Sequence, residues 1–514
     1  MVSTARENRS PRGLIWLLVF LMPYAALAVH QWSWGPPAVD GDYAQYLLHA
    51  KAIVEGRPYA DTGYIFHPAA WSVGPRAYPP GLPLTLAPLV AVVGVHSLLF
   101  RLLMLASGLA FAYLAWRRLA TIAEPWQAAA GVGFALFAIE SRWGMLDPIS
   151  DPGFAALVWG MVLAVDTNRP WNWRRILLVT ALGGAVLSYR VAGVALIAAF
   201  AICALVKWPG HGGRAAVPLV LWALGGLVFV LSGVHLGDIL SLLTGWRGLT
   251  LNADMVRNEY GPSLVVAMLR PSSVLAVNRT YYVCAGLVTL VGVVALARRF
   301  WRSFLATVCV AYSVMLIFAP VGEERYMWPL YPVAACALAV GITKVLEWLR
   351  GYWPALPVRG VAVSMLAVIA LSALGTEVAR PKPDMIVGTP DGEALFAWLR
   401  EAQRTTPMRV AFFSPRVVAL ETGIPTMANV GQPAPGQMRA FAEAGITHLI
   451  CQPDALSDEQ QQIANSLPRR YPDRFTLVYQ NSRFQVYQLL TGEHALNGEM
   501  PAAPVWRPEP ELKR

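Results

Sequence analysis

Two aspartates, Asp40 and Asp42, stand where the first apolar stretch of the chain has just ended. A bilayer-embedded protein avoids uncompensated charge so close to hydrocarbon, and the pair therefore asks for a chemical explanation. A carboxylate there can take a proton, contribute oxygens to a cation site, or cap the following helix through its side chain. Tyr46 follows one helical turn after Asp42, and Tyr78-Pro79-Pro80-Gly81 closes a long loop rich in aromatic and charged residues. Other charges recur where apolar runs end: Asp151 before Pro152, Arg190 in the Ser188-Tyr189-Arg190 turn, and Glu323-Glu324-Arg325 ahead of an aromatic segment. A guanidinium keeps its charge and can grip a phosphate through two parallel hydrogen bonds. Acid and base mixed in this way suit a site that handles a charged lipid headgroup and a proton.

The scaffold that must hold these residues is a membrane protein. Of 514 residues, 56% are hydrophobic and 14% charged, and the mean hydropathy is +0.46, too apolar for a soluble enzyme. Apolar segments fall at 13–32, 97–116, 126–143, 152–168, 175–189, 191–207, 215–234, 281–297, 303–320, 326–346 and 358–376. Stretches of this kind cross a bilayer as helices, which gives about 11 crossings. The formal charge of +10 sits in short segments between these runs, as in cytoplasmic loops, so no nucleic-acid partner is expected. The clusters Arg117-Arg118, Arg174-Arg175, Lys207 with Arg214, Arg298-Arg299 and Lys344 with Arg350 all fall on one side together with the N-terminal arginines. Residues 1–12 are then a cytoplasmic tail, 13–376 the transmembrane domain, and loop 33–96 lies outside. The run Leu82–Val95 is short and carries Pro83, Pro88 and Gly94. It reads as a juxtamembrane or re-entrant segment, because a further crossing would put Arg117-Arg118 on the wrong side. No small-residue cleavage site precedes Gln31, so the first helix is expected to be retained.

Beyond Thr376 the composition changes. Arg380-Pro381-Lys382-Pro383 marks a linker, and residues 377–490 alternate helix and strand, as a small α/β domain does. Helices are expected at Gly392–Thr405, Pro415–Thr422, Gln437–Ala444 and Asp458–Leu467, and strands at Met408–Ser414, Thr447–Cys451, Phe475–Gln480 and Phe484–Leu490. Residues 491–514, with four prolines from Gly492 onward, read as a disordered tail. Four cysteines lie in apolar runs and Cys451 stands apart, which implies no disulfide framework; the eight histidines show no metal-ligand spacing.

The first loop resembles the glycosyltransferase C superfamily, integral-membrane transferases that take sugar from polyprenyl-phosphate donors. The resemblance is carried by Asp42-Tyr43-Ala44-Gln45-Tyr46, by Gly56-Arg57-Pro58-Tyr59 after an alanine-rich helix, and by Tyr78-Pro79-Pro80-Gly81. Ile149-Ser150-Asp151-Pro152, Tyr189-Arg190-Val191-Ala192-Gly193 and Glu323-Glu324-Arg325-Tyr326-Met327-Trp328-Pro329 extend it through the chain. The bacterial branch related to protein O-mannosyltransferases and lipid A aminoarabinose transferases is the nearest in pattern. Many relatives carry Asp-Glu at the loop start, whereas here Tyr43 follows Asp42 and Asp40 precedes it, so both aspartates stay in play as the base.

The resemblance implies an α-helical polytopic membrane protein with a C-terminal extracytoplasmic α/β domain in a bacterial inner membrane. It implies transfer of a sugar from an undecaprenyl- or decaprenyl-phosphate donor to a periplasmic hydroxyl on a lipid, glycan or protein. Asp42, then Asp40, would serve as base, Arg325 and Arg190 would hold the donor phosphate, and Tyr46, Tyr78, Asp151 and Glu324 would line the substrate. A divalent cation, Mg or Mn, is a possible addition through Asp40 and Asp42, although two carboxylates alone do not complete such a site. The bland alternatives are helix capping by Asp40 or Asp151, pairing of Arg325 with Glu323 or Glu324, and interfacial anchoring by the tyrosines. The C-terminal domain would cover the site or recognise the acceptor. A transporter or lipid-linked sugar flippase would need polar residues along its helices, and a non-enzymatic envelope assembly subunit would not need the acidic loop.

Overall fold

The structure is a computed structural model that describes residues 11–33, 41–68, 74–96, 98–143, 149–166, 171–207, 212–231, 279–318, 324–379, 386–430, 432–453 and 459–490. Asp40, Glu323 and the tail 491–514 lie outside the described residues, and of Glu324 only the backbone is described. The chain divides into two compact units, one of Met1–Thr62 with Gly74–Val387, the other of Gly63–Val73 with Gly388–Arg514.

The first unit is helical. It runs α1 (Pro11–Trp32), α2 (Gly41–Val54), α3 (Gly81–Val93), α4 (Leu99–Leu119), α5 (Pro125–Trp143), α6 (Ser150–Val165), α7 (Trp173–Tyr189), α8 (Val194–Ile202), α9 (Gly212–Leu231), α10 (Arg279–Phe300), α11 (Phe304–Phe318), α12 (Tyr331–Arg350) and α13 (Val358–Val378). Among the described residues, four helical stretches are long and apolar enough to cross a bilayer: Gly13–Trp32, Leu99–Leu119, Val283–Phe300 and Arg325–Arg350. Shorter apolar helices include Ser150–Val165 and Phe304–Ile317. Large apolar side chains stay exposed on their flanks, Met22, Val29, Leu287 and Val368 among them, which suits hydrocarbon rather than water. The segment Leu82–Val95, expected to lie against the outer face, forms α3, a helix of 13 residues that contains Pro88.

Polar clasps tie the helices together. Gln127 of α5 donates to Thr343 of α12 at 2.9 Å. At the end of α6, the Asp166 carboxylate accepts from the backbone N–H groups of Phe304 and Leu305 at 2.6 and 3.1 Å and pairs with Arg118 at 2.8 Å. It thereby caps α11 from a different helix, satisfying donors that a helix start leaves open.

The second unit is an α/β fold built on one six-stranded sheet. Its helices are α14 (Pro390–Thr405), α15 (Pro415–Thr422), α16 (Ala434–Glu443) and α17 (Glu459–Arg470). Its strands are β1 (Tyr64–Ile65), β2 (Val410–Phe412), β3 (Thr426–Ala428), β4 (His448–Cys451), β5 (Phe475–Gln480) and β6 (Gln485–Leu489), in the order β1-β3-β2-β4-β6-β5. The first four run parallel, and β5–β6 is an antiparallel hairpin joined to β4. Thr389 caps α14 by accepting from the Gly392 N–H. β2, β3 and β4 are buried along their whole length, as strands covered on both faces are. β1 comes from loop 33–96, with Tyr64 in register with Thr426.

Candidate active site

α2 begins at Gly41, which adopts φ +47, and carries Asp42 in its first turn. The two Asp42 oxygens are engaged separately. The Tyr78 hydroxyl donates to Oδ1 at 2.5 Å, and the Arg325 guanidinium donates to Oδ2 at 2.6 Å. Both members of the ion pair remain within reach of solvent, the Arg325 side chain 16% and Asp42 24% exposed.

A second ion pair lies beside the first. Asp151, in the first turn of α6, accepts from Arg190, and its side chain is 3% exposed. The Tyr326 ring serves both cations, with the Arg190 guanidinium carbon 4.5 Å and that of Arg325 5.8 Å from its centroid. Tyr46, buried one turn along from Asp42, links the pairs. Its hydroxyl is 2.9 Å from that of Ser150, next to Asp151, and its ring meets Tyr78 edge-on at 5.3 Å. Burial holds the Tyr46 hydroxyl above its ordinary pKa, and nearby Asp42 adds to this against the opposing pull of Arg190, Ser150 and Arg325. Tyr46 is therefore a neutral hydroxyl at physiological pH.

Local sequence explains the placement. α7 ends at Tyr189, and Arg190 turns extended at φ −153, ψ 142. The Tyr189 ring lies flush against two glycines: a Cβ on Gly81 would come 2.4 Å from it and one on Gly153 2.6 Å. The Tyr189 hydroxyl meets Thr85 at 2.7 Å. The glycine of Pro-Pro-Gly thus admits Tyr189, and Tyr189 aims Arg190. On the other side, Trp159 of α6 donates to the Pro329 carbonyl at 3.0 Å, fastening the 3-10 segment Glu324–Leu330 that carries Arg325 and Tyr326.

The structure brings together Asp42, Tyr46, Tyr78, Asp151, Arg190 and Arg325, six residues that the sequence singles out. Asp40 falls outside the described residues, as does the Glu324 side chain. The capping alternative for Asp151 is corrected: the N-cap of α6 is Ile149, with no side-chain cap bond, and Asp151 pairs with Arg190 instead. His67 belongs to the second unit, where its Nε2 lies 3.2 Å from Glu443. Arg76 is exposed. Tyr326 and Ser150 were not foreseen as site residues, although each adjoins a residue that was.

Among the described residues, no three of His, Cys, Asp and Glu converge to hold a metal. The Asp42 oxygens already accept from a guanidinium and a hydroxyl, so the described groups do not by themselves fit a cation.

No protein-family model and no curated protein matches the chain. Solved structures do. The helical membrane architecture is shared with two solved structures at low sequence identity. It is similar to the apo structure of ArnT from Cupriavidus metallidurans, at 14% identity and TM-score 0.56, covering 92% of this chain and 97% of that one. It is also similar to the oligosaccharyltransferase AglB from Archaeoglobus fulgidus in complex with an inhibitory peptide and a dolichol-phosphate. There the identity is 14% and the TM-score 0.50, over 86% of this chain and 69% of that one.

Proposed function

We propose that the protein is a membrane glycosyltransferase that moves a sugar from a polyprenyl-phosphate donor to a hydroxyl acceptor on the periplasmic side of a bacterial inner membrane. The carrying observation is the pairing of Asp42 with Arg325 and Tyr78 beside the Asp151–Arg190 pair, on this fold. The dolichol-phosphate bound to AglB supports a lipid-phosphate donor of the same chemical kind. Gly63–Val73, within loop 33–96, belongs to the second unit, which supports reading that unit as periplasmic.

In the proposed reaction the acceptor hydroxyl attacks the anomeric carbon as its proton passes to the Asp42 carboxylate. The new carbon–oxygen bond forms while the bond to the lipid phosphate breaks, and that phosphate leaves with the electron pair. One displacement inverts the anomeric centre, by analogy with single-displacement glycoside chemistry. Donor arrival would draw Arg325 and Arg190 from their carboxylates toward the phosphate, where fixed cations favour the developing charge. The exchange frees Asp42 to act as base at the moment substrate is present. Asp40 remains the alternative base.

Cells lacking the gene are expected to lose one glycan substituent and to accumulate one undecaprenyl- or decaprenyl-phosphate sugar, both read by mass spectrometry. Unchanged glycans and unchanged lipid-linked sugars would discard the transferase reading. The accumulated lipid identifies the sugar, and the missing substituent the acceptor.

A further inference from the structure

Below Asp42 lies a set of buried groups that the proposed chemistry does not use. His49 sits two turns along α2 and is fully buried. Its two ring nitrogens are both committed. The Gln45 carboxamide nitrogen lies 3.0 Å from Nε2, and the Tyr59 carbonyl oxygen lies 2.8 Å from Nδ1. An amide nitrogen only donates and a carbonyl only accepts, so with the Gln45 amide in this orientation Nε2 accepts and Nδ1 donates to the Tyr59 carbonyl. Tyr59 also stacks on it, with ring centroids 4.1 Å apart and planes inclined by 13°.

Sequence explains how Tyr59 returns to a residue so near in the chain. Gly56 adopts φ +66 just beyond α2, and the Arg57 N–H bonds back to the Ala52 carbonyl at 2.9 Å, the αL glycine turn that ends many helices. Pro58 then fixes the direction of the next step. The Gly-x-Pro-Tyr element thereby lays Tyr59 over His49. A left-handed backbone is unfavourable for other residues, least so for asparagine. Gly56→Val is accordingly expected to lower the thermal midpoint of the purified protein, and Gly56→Asn to lower it less.

From there the contacts run to the carboxylate. The Tyr59 hydroxyl donates to the Tyr78 carbonyl at 3.0 Å, and the Tyr78 hydroxyl donates to Asp42. The Tyr78 ring also tilts against His49, with centroids 5.8 Å apart. Burial raises the pKa of the Tyr59 hydroxyl, so it stays a donor.

We infer that Tyr59, seated on the buried His49, is a positioning residue that sets where Tyr78 presents its hydroxyl to Asp42. This rests on the transferase reading above. A backbone anchor on Tyr78 matters because its hydroxyl reaches Asp42 from the far end of a long side chain. A small rotation at the carbonyl would swing the hydroxyl away from the oxygen that must be oriented toward the acceptor.

The test uses the full-length protein in nanodiscs with a panel of undecaprenyl-phosphate-linked glucose, mannose and arabinose, reading release of undecaprenyl phosphate from whichever is turned over. Tyr59→Phe keeps the stack and deletes only the bond to Tyr78. One hydrogen bond of about 1 kcal/mol corresponds to a fall in kcat of roughly 5- to 10-fold, with KM for the donor and the thermal midpoint unchanged. Tyr78→Phe alone and the double variant complete a cycle, and the double variant is expected to lose no more than Tyr78→Phe does, because Tyr59 acts through Tyr78. Additive losses, an unchanged kcat in Tyr59→Phe, or losses in KM and stability alongside kcat would each overturn the inference. Asp42→Asn in the same assay separates the two levels. If it turns over donor normally, Asp42 is not the base and the positioning role falls while the transferase reading stands, whereas its inactivity beside a normal Tyr59→Phe refutes the positioning role alone.

Discussion

Asp42→Asn is expected to reduce sugar transfer by about 10²–10⁴, the usual worth of a positioned general base, while leaving a folded protein. Asparagine keeps an oxygen to accept from Tyr78 and a similar shape, so the Tyr78 contact survives and only the proton acceptor is lost. Arg325 loses its anionic partner, but its side chain reaches solvent, which limits the cost in stability. The measurements are the release rate of undecaprenyl phosphate and the thermal midpoint in the same preparation. Asp40→Asn, run in parallel, assigns the base. A wild-type rate in Asp42→Asn with a lost rate in Asp40→Asn would move the role two residues back.

The Asp151–Arg190 pair is expected to show the largest effect on stability. Asp151 is almost wholly buried and Arg190 nearly so, and removing one member of such a pair leaves the other charged and unanswered, at a cost of about 3–5 kcal/mol. Asp151→Asn and Arg190→Gln should each lower the thermal midpoint, and the double variant should recover much of that loss. Transfer should behave differently. If Arg190 grips the donor phosphate, the double variant regains its stability without regaining transfer. Recovery of both would reduce the pair to a structural tie.

Much of this site was legible because charge near hydrocarbon is rare. Asp42, Asp151, Arg190 and Arg325 each sit where an apolar run ends, and that expense draws attention to them. Their partners were not legible in the same way. Sequence offered Arg325 two adjacent glutamates, whose side chains lie outside the described residues; the structure pairs it with Asp42, far away in the chain. Tyr326 stood out only as part of the Glu323–Pro329 motif, since its contact with two guanidinium groups depends on where α7 and the Glu324–Leu330 segment end. Gly81 marked a turn, but its second role against Tyr189 needed a neighbour from α7.

In the second unit, Pro415–Thr422 and Phe475–Gln480 coincide with the spans expected from sequence, because a proline start and a polar hairpin turn bound them. β3 escaped notice: Thr426-Met427-Ala428 is too short to show alternation and is buried on both faces. β1 escaped for another reason, since two residues in a loop carry no strand signal until their partner is known.

That borrowed strand bears on how the molecule is made. Tyr64 and Ile65 leave the ribosome early, and the edge they pair with, Thr426 and Met427, is synthesised only near the end. The first loop must therefore wait, with an unfilled strand, while most of the helices enter the membrane. A fragment beginning at Gly388 would have a bare β3 margin and a tendency to self-associate there. Folding of the last quarter of the chain is thus tied to correct delivery of a segment translated near its start.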